Sequence, residues 1–292
     1  MLAKTGAELL ELCEKHNISL SEYAIRCEVE EKGLTRDEVV EKMRKNLKVM
    51  ISAANEAMEK EVYSVSGLIG GDGFKLYNYA KSGKTLTGTV TNMAMAMALS
   101  SSEVNASMGR IVACPTAGSC GILPAVILAA GEKLELDEDG ILRGLFAAAA
   151  VGIVIGLNAT LSGAEGGCQA ECGSASAMGA AAVVEMMGGT PQMSLDAAAI
   201  ILKNVLGLVC DPVAGLVEIP CAKRNAQGAI TAICTADMAM AGVVSKIPFD
   251  DTVSAMYKVG KSLPASLRET ALGGLAITKE GLRLKEQVFG KE

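Results

Sequence analysis

Histidine is nearly absent from this chain: among 292 residues only His16 is one, and tryptophan does not occur at all. A single imidazole excludes every site that needs two, including HExxH zinc motifs and the two-His facial triad. Other aromatics are scarce, with 4 Phe and 5 Tyr, so the core must be packed from Ala, Val, Leu, Ile and 15 Met. There is no excess of positive charge. Lys and Arg number 27 against 33 Asp and Glu, a balance of −6 that argues against a nucleic-acid partner. Period-2 alternation is almost missing, which leaves no signal for half-buried strands. No Walker A sequence occurs, and Gly67-Leu-Ile-Gly-Gly-Asp-Gly73 lacks the glycine order of a dinucleotide site.

What the chain does have is nine cysteines. The odd count, and a start without an apolar signal-peptide core, point to reduced thiols and a cytoplasmic location. Two 21-residue stretches, 111–131 and 144–164, carry no charge. The first holds Pro115 and Pro124, the second ends in Asn-Ala-Thr-Leu-Ser-Gly-Ala, and neither has a clear Lys/Arg asymmetry at its flanks. Both are expected to be buried core rather than membrane spans.

Helix signals dominate. Thr5-x-x-Glu8, Ser19-x-x-Glu22 and Thr35-x-x-Glu38 each have the form of a capping box and predict helices near 6–15, 20–32 and 36–61, with Gly33 ending the second. The third places Val39, Val40, Met43, Leu47, Met50 and Ile51 on one face. From residue 84 onward, buried helices alternate with glycine-rich breaks, near 87–100, 121–132, 138–160, 169–187, 195–209, 222–243 and 249–261. Thr190-Pro191 follows Gly188-Gly189 as a cap and start signal. The expected fold class is all-α: a compact bundle of Ala/Gly-rich helices with functional loops, forming one domain over 1–292 in which 1–65 could be a helical subregion. Met93-Ala-Met-Ala-Met97 reads as gap-filling core.

Three loops depart from core composition. Asn105-Ala-Ser-Met-Gly-Arg110 leads into Cys114-Pro115-Thr116-Ala117-Gly118-Ser119-Cys120, whose free N–H groups and two hydroxyls before an apolar helix suit a carboxylate or a phosphate. Arg110 could add a charge-assisted bond; the plainer alternative is that Thr116 or Ser119 merely caps the helix. The second loop is Ser162-Gly-Ala-Glu165-Gly-Gly-Cys168-Gln-Ala-Glu171-Cys172-Gly, and the third runs from Cys210-Asp-Pro to Pro220-Cys221-Ala-Lys223-Arg224-Asn225. Cys210 and Cys221 each lie near a proline in a break between helices, where thiols are ready ligands. Thiolates from separate loops, with almost no histidine, favour iron–sulfur over zinc, although from spacing alone structural cysteines stay equally open. His16 sits beside Lys15 on a charged helix, a poor place for a triad base. Lys223 is the candidate should a pyridoxal Schiff base be used.

The segments VNASMG, CPTAGSCGILPAV, SGAEGGCQAECGSASAMGAAA, GLVCDPVAGLVEIPCAKRNAQGA and PASLRETALGGLAIT make the chain resemble the alpha subunit of two-subunit, iron–sulfur-dependent L-serine dehydratases. The resemblance runs through nearly the whole length. It implies an all-helical lyase that converts L-serine to pyruvate and ammonia in amino-acid degradation, with a [4Fe-4S] cluster and no pyridoxal phosphate. It also implies a beta subunit as partner, forming a heterodimer and supplying a Ser-x-His-Thr-type substrate loop that this chain lacks. Carried over by position, the cluster ligands are Cys168, Cys210 and Cys221, while Cys114, Cys120, Cys172 and Cys234 are core thiols. Three ligands leave one iron open as a Lewis acid for loss of the hydroxyl. Some single-chain relatives end in a cysteine that folds back onto the cluster; the tail Val288–Glu292 has none.

Around that centre, Lys223 and Arg224 are expected to offset thiolate and substrate charge, and residues 115–119 to cradle the carboxylate. The general base stays open between Glu165, Glu171, a lysine and the other subunit. A lyase acting on L-cysteine and a non-catalytic helical subunit are the competing functions.

Overall fold

The computed structural model describes residues 2–290. Thirteen α-helices account for most of them: α1 (Gly6–His16), α2 (Leu20–Lys32), α3 (Arg36–Glu59), α4 (Asp72–Lys81), α5 (Gly88–Ala106), α6 (Ile122–Lys133), α7 (Glu138–Asn158), α8 (Gly163–Gly166), α9 (Ser174–Met186), α10 (Pro191–Asn204), α11 (Cys221–Met240), α12 (Phe249–Ser262) and α13 (Lys279–Phe289). There is no β-strand among the described residues, only isolated bridges joining Tyr63 to Gly70 and Cys210 to Arg268. Of the tail Val288–Glu292, Lys291 and Glu292 lie outside the described residues.

The all-α expectation holds, and six of the thirteen helix starts follow local capping chemistry. Thr5, Ser19, Thr35, Asp137, Thr190 and Thr278 each accept a backbone N–H from the first turn. Of the three expected capping boxes, only Thr35 with Glu38 is reciprocal. Glu8 instead takes the N–H of Lys4, and Glu22 is drawn into ion pairs with Arg26 and Arg36. Expected boundaries shift where the chain finds better caps. The helix expected at 195–209 begins at Pro191, behind its Thr190 cap, and stops at Asn204. The helix expected at 169–187 opens with a π-helical turn, Gln169–Gly173, before α9 begins.

Three helices were not expected: the four-residue α8 and the longer α4 and α13. α4 has no side-chain cap of its own; the Glu103 carboxylate, from α5, accepts the N–H of Asp72 at 2.6 Å and that of Gly73 at 3.3 Å. α13 is amphipathic, with Leu282, Leu284, Val288 and Phe289 on one side, but it buries only Gly281 and leaves Leu282 and Phe289 exposed.

α9 is the centre of the molecule: every residue from Ser174 to Val184 is buried, against α6, α7, α10 and α11. Such packing needs small residues where helices approach. A β-carbon on Gly144 of α7 would meet Met186 Sδ at 2.6 Å, and one on Gly152 would meet Met178 Cε at 2.8 Å. The two methionines of α9 thus lie in notches cut by glycines of α7, the gap-filling use of a flexible side chain. α7 is the one helix among the described residues long and apolar enough to cross a membrane, and 67% of its apolar window is buried within the chain. Leu9, Leu20 and Leu47, from the first three helices, belong to the same buried core as α9.

Candidate metal centre and active site

Three chain breaks at one end of α9 bring four cysteines together. After α8 the backbone turns at Gly167, and Gln169, fully buried, holds the turn from both ends of its amide. Its Nε2 donates to Gly166 O and Met256 O, both at 2.9 Å, while its Oε1 accepts from Gly207 N at 2.9 Å. The π-helical turn that follows brings Cys172 Sγ within 3.3 Å of Cys168 Sγ. π-helical turns of this kind are frequent at functional sites. Cys210 is threaded against the segment after α12: its N–H donates to Leu267 O at 2.9 Å and its carbonyl accepts from Glu269 N at 2.7 Å. Cys221 is the first residue of α11, where a helix N-terminus favours negative charge. All four thiols are buried.

Their electrostatics are asymmetric. Cys168 is held well below the usual thiol range because Cys172 and Cys210 donate hydrogen bonds to its sulfur, with the Arg224 guanidinium adding positive charge. The same contacts push Cys172 and Cys210 up, and burial pushes Cys221 up to about 12. Arg224 is itself fixed, donating to Val209 O at 2.8 Å and pairing with the buried Asp211 at 2.9 Å. Cys168, Glu171 and Cys172 present sulfur and carboxylate atoms within 4.8 Å of one another, a set able to hold a metal ion.

The CPTAGSC loop closes over this centre. Thr116 Oγ1 donates to Glu171 Oε1 and lies 3.1 Å from Ser119 Oγ. The hydroxyl is therefore spent on Glu171 and not on α6, whose N-cap position, Gly121, offers no side-chain cap. A β-carbon on Gly118 would meet Glu171 Oε1 at 2.5 Å, so that glycine makes room for the carboxylate. Burial raises Glu171 to about 7; the Thr116 hydrogen bond opposes the rise, and the charges of Cys168 and Glu269 add to it. Asn225, on α11, ties the loop to the thiols: its Oδ1 accepts from Gly121 N at 2.9 Å and its Nδ2 donates to Gly118 O at 2.7 Å and Cys221 O at 2.9 Å. Asn105 Nδ2 donates to Ala117 O at 3.2 Å, joining the end of α5 to the same loop.

Among the residues singled out in the sequence, Cys168, Cys210, Cys221, Glu171, Arg224, Asn105 and residues 115–119 thus lie in one connected network. Glu165, Arg110 and Lys223 are solvent-exposed, and Lys223 pairs with Asp72 at 2.5 Å. Cys114 and Cys120 are buried beside backbone carbonyls: Cys114 Sγ is 3.4 Å from Val112 O and Cys120 Sγ 3.7 Å from Ser101 O. Cys172, expected as a core thiol, touches Cys168, and three further participants were given no role in the sequence. Asn225 lies four positions after Cys221, hence on its helix face; Asp211 directly follows Cys210; Glu269 gave no local signal.

An all-helical chain that gathers buried thiols, an arginine and a desolvated carboxylate at one loop junction has the makings of a metal-dependent enzyme. Residues 15–276 match the family described as Serine dehydratase alpha chain, and the chain belongs to that family. It is 50% identical over 283 residues to the probable L-serine dehydratase alpha chain of Bacillus subtilis (strain 168), covering 97% of this chain and 94% of that one. It is 48% identical over 291 residues to the L-serine dehydratase alpha chain of Peptoniphilus asaccharolyticus, covering 100% and 99%. The L-serine dehydratase of Streptomyces coelicolor is 38% identical over 283 residues, which cover 94% of this chain and 60% of the relative.

Proposed function

We propose that this chain is the catalytic alpha subunit of an L-serine ammonia-lyase, converting L-serine to pyruvate and ammonia as one helical unit over its whole length. The family membership supports the reaction, and one observation carries the site: buried Cys168, Cys210 and Cys221 from three separate segments meet beside Arg224 and beneath Glu171. These residues are proposed to hold a [4Fe-4S] cluster. The donor set suits it, being thiol-rich, free of histidine and shielded from water, with one arginine to offset negative charge. Bound there, the cluster would supply a Lewis-acidic iron that draws electron density from the serine hydroxyl and makes it a better leaving group.

The rest of the chemistry falls to the protein. Glu171, kept largely protonation-ready near neutrality by burial, is the proposed general base for the Cα proton, oriented by Thr116. Loss of that proton and of the hydroxyl, together one water, leaves aminoacrylate, which tautomerises and hydrolyses to pyruvate and ammonia without further catalysis. Backbone N–H groups and hydroxyls of Pro115–Ser119, with Asn105 anchoring the loop and Arg110 at its entrance, are proposed to receive the substrate carboxylate. Arg224 compensates the thiolates. Lys223, exposed and ion-paired, lacks the desolvation that a Schiff-base lysine needs, which favours a reaction without pyridoxal phosphate.

The proposed partner is the beta chain, which the designation of the relatives as alpha chains supports, and the setting is a cytoplasmic one without membrane or nucleic acid. Anaerobic purification with iron analysis and a serine-to-pyruvate assay, with and without the beta chain, tests the proposal. About four iron per chain and activity with L-serine, above that with L-threonine or L-cysteine, are expected. A colourless, iron-free protein after anaerobic reconstitution would overturn it.

A further inference from the structure

The segment between α12 and α13 has no role in the chemistry above, yet it forms one wall of the site. Besides gripping Cys210 from both sides, it donates the Leu275 N–H to Asp211 Oδ2 at 2.8 Å, and Thr270 Oγ1 bonds to Ala265 O within it at 2.9 Å. Glu269, at its apex, has φ +64. That left-handed conformation is costly for a residue with a β-carbon, and the surrounding bonds hold it in place.

Where the Glu269 carboxylate lies is more informative. A β-carbon on Gly163 would stand 3.4 Å from Glu269 Oε2, 3.1 Å from Glu171 Oε2 and 3.1 Å from Cys210 Sγ. Two carboxylates and a ligand sulfur therefore face one spot that only a glycine leaves clear. Glu171 is buried at its back and Glu269 is exposed at its mouth. Among the described residues neither carboxylate has a lysine or arginine as an ion-pair partner; Arg224 is committed to Asp211 and Cys168. Paired carboxylates without a cation suit a positively charged ligand, since an opposite charge relieves their repulsion.

L-Serine has such a group. Resting on the reading of L-serine as substrate, we propose that Glu269 is a substrate-binding residue that accepts hydrogen bonds from the α-ammonium group. The division of labour is geometric. The ammonium is held at the mouth by Glu269, the carboxylate by the 115–119 loop, and Cα then lies between them, within reach of Glu171. Specificity for an amino acid over the corresponding hydroxy acid follows, because a carboxylate left facing a neutral group forfeits a charge-assisted bond.

The test compares wild type, Glu269→Gln and Glu269→Asp, each purified anaerobically with its iron content and melting temperature measured. Binding of L-alanine and of L-lactate, followed by calorimetry, accompanies KM and kcat for L-serine. Glu269→Gln is expected to keep its iron, to weaken L-alanine binding and raise the KM for L-serine roughly ten- to hundredfold, and to leave L-lactate binding unchanged. Glu269→Asp should recover part of the loss. Equal weakening of both ligands, no weakening of L-alanine, or loss of iron or fold in Glu269→Gln would each overturn the proposal. A wild type that fails to deaminate L-serine would instead overturn the functional reading on which it rests.

Discussion

Glu171 is enclosed by Gly118, by the position a β-carbon of Gly163 would take, and by the Thr116 hydroxyl, so small changes around it have specific consequences. Gly118→Ala would drive a methyl group into its carboxylate. It is expected to cut kcat by at least about tenfold with iron content retained, whereas an unaltered kcat would remove Glu171 from the reaction. The cysteines separate in the same way. Cys210→Ser should abolish visible absorption, iron and activity, while Cys120→Ser, whose thiol lies beside the Ser101 carbonyl, should spare all three; equal loss from both would refute the ligand set. Cys172 is the discriminating case, since it touches Cys168: Cys172→Ser is expected to keep the iron. At this scale the sequence was legible in its residue types, because soft donors without histidine mean that any metal held by this chain is held by thiolates. The positions were not. Cys168, Cys210 and Cys221 came from resemblance, and Glu269 and Asp211 act through contacts made across long stretches of chain that no local spacing encodes.

Most elements whose stabilising contact is local were readable, although α13, capped by its own Thr278, was missed. Thr35 and Glu38 announce α3 because cap and partner lie three residues apart. α4 was silent because its cap, Glu103, arrives from another helix. That arrangement buries a carboxylate, and burial raises Glu103 from 4.5 to about 7, with the Asp72 and Gly73 N–H groups opposing the rise. With the folded pKa above the unfolded one, the folded chain binds more protons between these values, so stability falls as pH rises from about 4.5 through about 7. Glu103→Gln keeps an acceptor for both N–H groups and removes the titration. Urea unfolding at pH 5 and pH 8 should show wild type losing on the order of 2 kcal/mol more than the variant over this interval. Parallel profiles would mean that Glu103 is not desolvated in solution.

Across the whole molecule, the site is built on supports that need no metal. Gln169 fastens the Cys168 turn, Leu267 and Glu269 fasten Cys210, and Asn225 fastens Cys221 to the loop above. Around them runs a buried core extending from Ala3 to Met256. Small metal-folded domains lose their structure on chelation. Here, removal of iron is expected to leave the far-UV helical signal intact, and a collapse of that signal would show that the thiols are gathered by the metal instead. The all-α class was evident from composition and capping; the way α7 and α9 interlock, methionine into glycine notch, was not, because it depends on which turns of two distant helices face each other.

The pair Cys168 and Cys172 carries a liability of its own. Cys168 is held well below the usual thiol range and Cys172 well above it, and 3.3 Å separates their sulfurs, little more than an ångström beyond the length of a sulfur–sulfur bond. With the proposed cluster bound, exposure to oxygen would threaten the protein twice: loss of the cluster would uncover Cys168 beside its neighbour, and a two-electron oxidation by that oxygen would weld the pair shut. Inactivated enzyme would then resist simple resupply of iron and sulfide and respond only once a dithiol has reopened the bond, so that repair, and not merely refilling, becomes the step that limits recovery after aeration.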